Sequence, residues 1–182
     1  AHAWMAFRLG DDTAAKLGRL TLNPMAHLDP VGSIALLLMG FGWAKPVPVD
    51  VRYLRNPKED MVKVAAAGPI SNLLLAVIAA LCLRFLFGNN LLTGSIKSFI
   101  VIFMQINITL AIFNLLPVSP LDGSQILSPF IEKKFGIKMV YKMEMYGPRI
   151  LFFIIIFSMV TGIHLFSFII NPIFNLFLYI FF

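Results

Sequence analysis

Residues 64–87 read VAAAGPISNLLLAVIAALCLRFLF, with one charge, Arg84, near the end. A helix rises about 1.5 Å per residue, so roughly 20 apolar residues cross a hydrocarbon layer about 30 Å thick. The stretch has the length and composition of a membrane span, and a long side chain at position 84 reaches the interface by snorkelling. Residues 99–118 share this character, as do residues 150–170, which are rich in Phe and Ile. The last run leads into a further apolar stretch, 173–182, which suits either a short span or an interfacial helix.

The whole chain agrees with this reading. Of its 182 residues 59% are hydrophobic and 13% charged, and the mean hydropathy is +0.85, too apolar for a domain whose surface meets water. A net charge of +6 in a soluble protein would suggest a nucleic-acid partner. Here the basic residues gather between the apolar runs, so they report membrane topology and no nucleic acid is implied. Lys45, Arg52, Arg55, Lys58 and Lys63 precede the first run, and Lys133, Lys134, Lys138, Lys142 and Arg149 precede the third. Both basic segments are expected in the cytoplasm, and residues 88–95, which lack Lys and Arg, outside. The lone cysteine, Cys82, lies inside an apolar run, so neither a disulfide nor a cysteine zinc site forms within one chain. The expectation is an all-α polytopic membrane protein, a transmembrane helix bundle of one domain over residues 1–182.

The opening AHAWMAFRLGDD has no initiator Met and no signal-peptide pattern. Residues 1–9 suit a helix ended by Gly10, Asp11 and Asp12. The reading is that this helix continues one begun upstream, so that a first transmembrane helix is largely missing before residue 1. Between Pro30 and Trp43 the apolar run VGSIALLLMGFGW is short for a span and is expected to be re-entrant or packed among helices. The WAKPVPVD that follows alternates Pro46 and Pro48 with Val47 and Val49. Both missing N–H groups then fall on one edge, which suits an edge strand or an extended segment.

Ionisable groups at membrane depth are costly and point to function. In NLLPVSPLDG, residues 114–123, Pro117 and Pro120 break a helix just before Asp122, and Asn114 adds an amide about two turns earlier. Broken helices at that depth occur where they line a cavity. The competing reading is a carboxylate that caps the next helix or faces water. His2 sits about eight residues, some 12 Å, below the cytosolic end of its helix. It could share a metal with Asp122 if other ligands came from upstream. His27 and Asp29 share no helix face and read as turn residues, and His164 reads as interfacial.

Together AHAWMAFRLGDDTAAKLGRLTLNPMAHLDPVG, GFGWAKPVPVD, AAAGPISNLLLA and NLLPVSPLDGSQIL resemble the site-2 protease family of intramembrane zinc metalloproteases (peptidase M50-like), in particular its compact prokaryotic branch. The resemblance runs from residue 1 to about 130. It implies a His-Glu-x-x-His helix whose second His matches His2, a third zinc ligand at Asp122, and Asn114 with Pro117 in the same segment. The first His and the general-base Glu would fall before residue 1 and are absent from this chain. Two His four apart share one face and hold one Zn2+; a third protein ligand leaves a fourth position for water. The resemblance further implies capture of an extended peptide at Trp43, Lys45, Pro46, Val47 and Pro48 and a membrane-spanning protein or peptide as substrate. Asn114 is expected near the substrate or its oxyanion, and Asn72, one turn from Gly68 on the same helix, reads equally as a packing residue or a substrate contact.

The function so expected is hydrolysis of a peptide bond within the prokaryotic cytoplasmic membrane by zinc-activated water, in a multi-pass protein surrounded by lipid bilayer. The alternatives are a non-catalytic relative, or a membrane transporter using Asp122 and Asn114 as an ion site. The topology is directly testable. Cysteine labels at 52–58 and 133–142 should react from the cytosolic side alone and labels at 88–93 from outside; reversed labelling would overturn the orientation.

Overall fold

The computed structural model describes residues 1–39, 42–88, 94–163 and 165–181, without the side chains of 39, 87 and 88. Most of residues 88–95, and His164, therefore lie outside the described residues. The described residues are helical, with no strand. They pack into two compact units, Ala1–Val64 and Ala65–Phe182.

In the first unit α1 (His2–Arg8) buries Ala3 and Ala6. It stops where Gly10 turns to φ +111° and the Asp11 N–H returns to the Ala6 carbonyl at 3.0 Å. Glycine suits both that φ and the tight approach of the Tyr53 carbonyl, which a Cβ would meet at 3.0 Å. A short α2 (Thr13–Lys16) follows, with Ala14 fully buried.

Asp29 then starts α3 (Pro30–Met39), its carboxylate accepting the Gly32 N–H at 2.8 Å and its carbonyl accepting the Ser33 amide at 2.8 Å and hydroxyl at 2.7 Å. His27 bonds the Thr21 carbonyl through Nε2 at 2.9 Å. Both residues hold the turn, as their spacing indicates. Ten residues of helix reach about 15 Å, half a bilayer core. After α3 the chain returns, because Ala44 forms an antiparallel bridge with Leu28 and the Lys45 N–H bonds the His27 carbonyl at 2.9 Å. A segment whose two ends are paired cannot cross a membrane. Gly32 permits the return: a Cβ there would run into the Trp43 carbonyl.

No ladder grows from that bridge. Residues 45–50 have no regular secondary structure, so of the two forms considered for WAKPVPVD, an edge strand and an extended segment, the strand is not formed. Pro46 and Pro48 supply no N–H with which to continue pairing.

The second unit begins inside the longest helix, α4 (Pro57–Gly88), whose start lies several residues before the apolar run. A helix in lipid satisfies its own backbone, so helical structure extends through the flanking Lys58, Glu59, Asp60 and Lys63. α5 (Gly94–Asn114) meets α4 through Ala76, Ala79, Ala80, Met104, Ile108 and Ile112, small residues on one helix accepting larger ones on the other.

A turn leads to α6 (Asp122–Phe135), then to α7 (Ile137–Thr161) and α8 (Ser167–Phe181). The third apolar run, 150–170, is thus not one helix. α7 starts within the basic segment and ends at Gly162, which closes it with φ +70°. α8 packs Ile170, Phe174 and Phe177 on the α4–α5 cluster. Phe166, just before α8, meets Phe113 edge-on at 5.2 Å, while the far end of α8 meets α4, where Arg84 donates to the Phe181 carbonyl at 3.1 Å. α8 therefore runs antiparallel to α5 along the depth of the bundle, and Arg84 satisfies a helix end instead of simply snorkelling.

Among the described residues three helices are long and apolar enough to cross a membrane: Pro57–Leu86, Gly94–Asn114 and Ile137–Thr161. This is an all-α membrane protein.

The joint between α5 and α6 depends on Gly123. A Cβ there would overlap the carbonyls of Leu115 and Leu116, which are backbone and cannot rotate away. Gly123→Ala should therefore lower stability by about 1–3 kcal/mol, read as an earlier thermal transition in detergent; an unchanged transition would mean that the joint is loose.

Candidate metal and substrate-binding site

On α1 the half-buried His2 faces the start of α4: its Nδ1 lies 2.8 Å from the Val64 carbonyl oxygen. A carbonyl only accepts, so Nδ1 is the donor in this bond. Histidines that bind metals are oriented by the same kind of bond, the other ring nitrogen donating to a carbonyl or carboxylate. The bond to Val64 orients the His2 ring in that manner.

Asp122 is the first residue of α6 and half-buried. Its position follows from the turn before it. The Leu116 N–H bonds Phe113 O at 3.1 Å, Val118 N–H bonds Leu116 O at 2.8 Å, and Leu121 N–H bonds Val118 O at 2.9 Å. The Ser119–Pro120 peptide is cis. The buried Ser124 donates its amide and its hydroxyl to the Leu121 carbonyl, at 3.0 and 2.8 Å. Asp122 thus stands at the positive end of a helix dipole, after a turn held by these local bonds. Leu121, not Asp122, is the N-cap. Asn114 ends α5, half-buried, and Asn72 is half-buried on α4.

His2 belongs to the first unit and Asp122, Asn114 and Asn72 to the second. Among the described residues no three His, Cys, Asp or Glu side chains form a group that could hold a metal.

The WAKPVPVD segment is held at both ends. At Lys45 the N–H bonds His27 O, and the carbonyl accepts Arg19 Nη2 at 2.9 Å. At the other end the Asp50 N–H donates to Asp11 Oδ2 at 2.8 Å. In between, no hydrogen bond among the described residues engages the backbone of residues 46–49. Trp43, Lys45 and Pro46 are exposed, and Val47 and Pro48 half-buried.

Asp11 is the residue that sequence reading missed, having been taken only as part of a helix end. It is fully buried, and its other oxygen accepts the Thr13 N–H at 2.9 Å. Burial alone would raise its pKa. The hydrogen bonds from Thr13 and from the Asp50 N–H outweigh burial and hold the carboxyl below the usual carboxylate range. The signal was available: an aspartate directly after a helix-ending glycine, two residues before a helix-starting Thr. Its partner 39 residues away was not. Asp50, bonded in turn by Arg52, has its pKa lowered to about 2.

Comparison with known proteins places the chain in a family. The model of peptidase family M50 matches residues 87–158, which include Asn114 and Asp122. The chain is 42% identical over 180 residues to the "Putative zinc metalloprotease YwhC" of Bacillus subtilis, covering 96% of this chain and 79% of that protein. This chain belongs to peptidase family M50. It is also 29% identical over 136 residues to the "Putative zinc metalloprotease Rip2" of Mycobacterium tuberculosis, of whose length it matches 51%. With the "Putative zinc metalloprotease MJ0611" of Methanocaldococcus jannaschii it shares 34% over 113 residues, covering 60% of this chain and 56% of that one. No solved structure matches.

The Asp11 clamp carries a pH signature. A carboxyl whose folded pKa is depressed stabilises the fold above its unfolded pKa and loses that contribution as pH falls through the folded pKa. Exchange protection of the Asp50 amide, corrected for intrinsic rate, should persist down through pH 3.8, the ordinary aspartate value, and fail only in stronger acid. Loss with a midpoint at or above pH 3.8 would show that Asp11 does not hold that amide as an anion.

Proposed function

We propose that this protein is an intramembrane zinc metalloendopeptidase that cleaves membrane-spanning proteins or peptides in a prokaryotic cytoplasmic membrane. Membership of peptidase family M50 and the names of its relatives support the metalloprotease reading. The structural observation that carries it is the bond from His2 Nδ1–H to the Val64 carbonyl, the kind of bond that orients metal-binding histidines. His2 and Asp122 would hold Zn2+, together with ligands outside the described set. When bound, zinc supplies a Lewis acid and lowers the pKa of water toward about 7.

The remaining tasks belong to this chain. Val64 O fixes the imidazole orientation. The turn of residues 115–121 and the Gly123 contact hold Asp122 in place. The unbonded edge of residues 46–49 pairs with an unwound substrate by strand addition, with Trp43 and Lys45 beside it. Peptide bonds in a helix are shielded by their own hydrogen bonds, so an extended partner is what hydrolysis requires. In this reading Asn114, at the end of α5 and eight residues before Asp122, donates to substrate or to the developing oxyanion, and Asn72 contacts substrate.

The test is cleavage of a helical membrane substrate by the full gene product, with and without a zinc chelator. Asp122→Asn keeps size but removes the charge, so bound zinc should be lost and cleavage fall by at least about 100-fold. Asn114→Ala should keep zinc and lower kcat by about 100-fold, and Pro48→Ala should change mainly KM. Undiminished cleavage by Asp122→Asn, or activity indifferent to chelation, would refute the reading.

A further inference from the structure

Beside the turn that precedes Asp122 lies a cavity of about 250 Å³, walled by Pro117, Val118 and Ser119 on one side and by one stripe of α7 on the other. The α7 residues are Met139, Lys142, Met143, Tyr146, Gly147 and Ile150, spaced as one helix face. Gly147 brings the walls together: a Cβ there would stand 2.7 Å from both the Cβ and the carbonyl oxygen of Ser119. The lining is almost wholly apolar, and α7 is one of the helices suited to lipid. Pockets that enclose a whole drug-sized ligand run to about 300–1,000 Å³. This one is smaller, so it holds the end of a chain and not a whole molecule.

Charge distinguishes the cavity from ordinary lipid-facing surface. Lys142 stands in its wall. Lys138 lies one turn before it, and Arg149, two turns on, lies on the same side of the helix and stacks over the Tyr146 ring at 5.9 Å. The carboxylate nearest in sequence, Glu144, is two residues from Lys142 and so falls on the opposite side of α7. Among the described residues no carboxylate pairs with Lys142. An apolar slot with a cationic rim matches one kind of occupant, an amphiphile with an anionic head and a hydrocarbon tail.

We propose that this cavity is a binding site for a single anionic phospholipid, its phosphate on Lys142 with help from Lys138 and Arg149, and one acyl chain end between Met143, Ile150 and Val118. Basic pockets beside membrane helices recognise lipid headgroups in this way. The site is independent of the metalloprotease reading. If that reading holds, occupancy packs directly against the turn that carries Asp122.

The experiment equilibrates the purified protein with phosphatidylcholine vesicles containing a minor share of phosphatidylglycerol, then quantifies the lipid retained in mild detergent. Retained phosphatidylglycerol should exceed its share of the vesicle. Lys142→Gln should cut that enrichment by about five-fold, the worth of one cationic contact, Lys142→Arg should preserve it, and Met143→Trp should abolish it by filling the slot. Glu144→Gln should leave it unchanged, and helical content by circular dichroism checks each variant. Equal retention by Lys142→Gln, retention of the two lipids in proportion to the vesicle, or release of lipid by inorganic phosphate alone would overturn the proposal. So would a photoreactive group at Met143 that captures a membrane-spanning peptide in preference to excess phosphatidylglycerol, since the cavity would then belong to a polypeptide.

Discussion

In hydrocarbon a backbone N–H or C=O without a partner costs several kcal/mol, and the architecture follows from the need to satisfy such groups wherever a helix stops. The break between α5 and α6 is the clearest case. Two prolines remove donors there, yet a chain of short-range bonds from Leu116 to Ser124 carries the backbone through the turn. Gly123 completes it by letting the first turn of α6 lie against the carbonyls of Leu115 and Leu116, just after α5. The carboxylate in NLLPVSPLDG is held by this local bonding. The same rule accounts for Gly162 at the end of α7 and for Arg84, whose guanidinium reaches a terminal carbonyl of α8.

The helices were legible because lipid imposes one strong demand, length in apolar residues. Residues 64–87 and 99–118 fall on α4 and α5 with little displacement. Boundaries were less so, since hydropathy ends where charges begin while a helix continues through Lys58 and Lys63, or Lys138 and Lys142. The run at 150–170 showed the opposite failure. Its hydropathy is continuous, and the break begins at Gly162, a residue in a left-handed conformation that closes α7 before α8 starts at Ser167. The direction of α8 depended on contacts with Phe113 and Arg84 that no local pattern encodes.

The setting of the candidate residues was legible where it is local. Two prolines ahead of an Asp-Gly pair mark the turn between α5 and α6, after which Asp122 opens α6, and His2 falls on the short helix expected at residues 1–9. The short return of α3 was also readable, because 13 or so apolar residues cannot span. What spacing could not supply was long-range bonding. The clamp from Asp11 to the Asp50 amide crosses 39 positions, and the bond from His2 to Val64 crosses 62. Proline alternation in WAKPVPVD showed which donors were missing, but it could not tell a strand from a segment fixed at its ends.

That fixing has an entropic consequence. A free loop that pairs with a peptide must surrender its own backbone freedom as well as the peptide's, about 1–2 kcal/mol for each residue ordered. Between Lys45 and Asp50 much of that freedom is already gone when the protein folds, spent through Arg19, His27 and Asp11, and both prolines have one torsion locked. Pairing with this edge would order mainly the incoming chain, so selectivity among peptides would follow how readily each gives up its own helix.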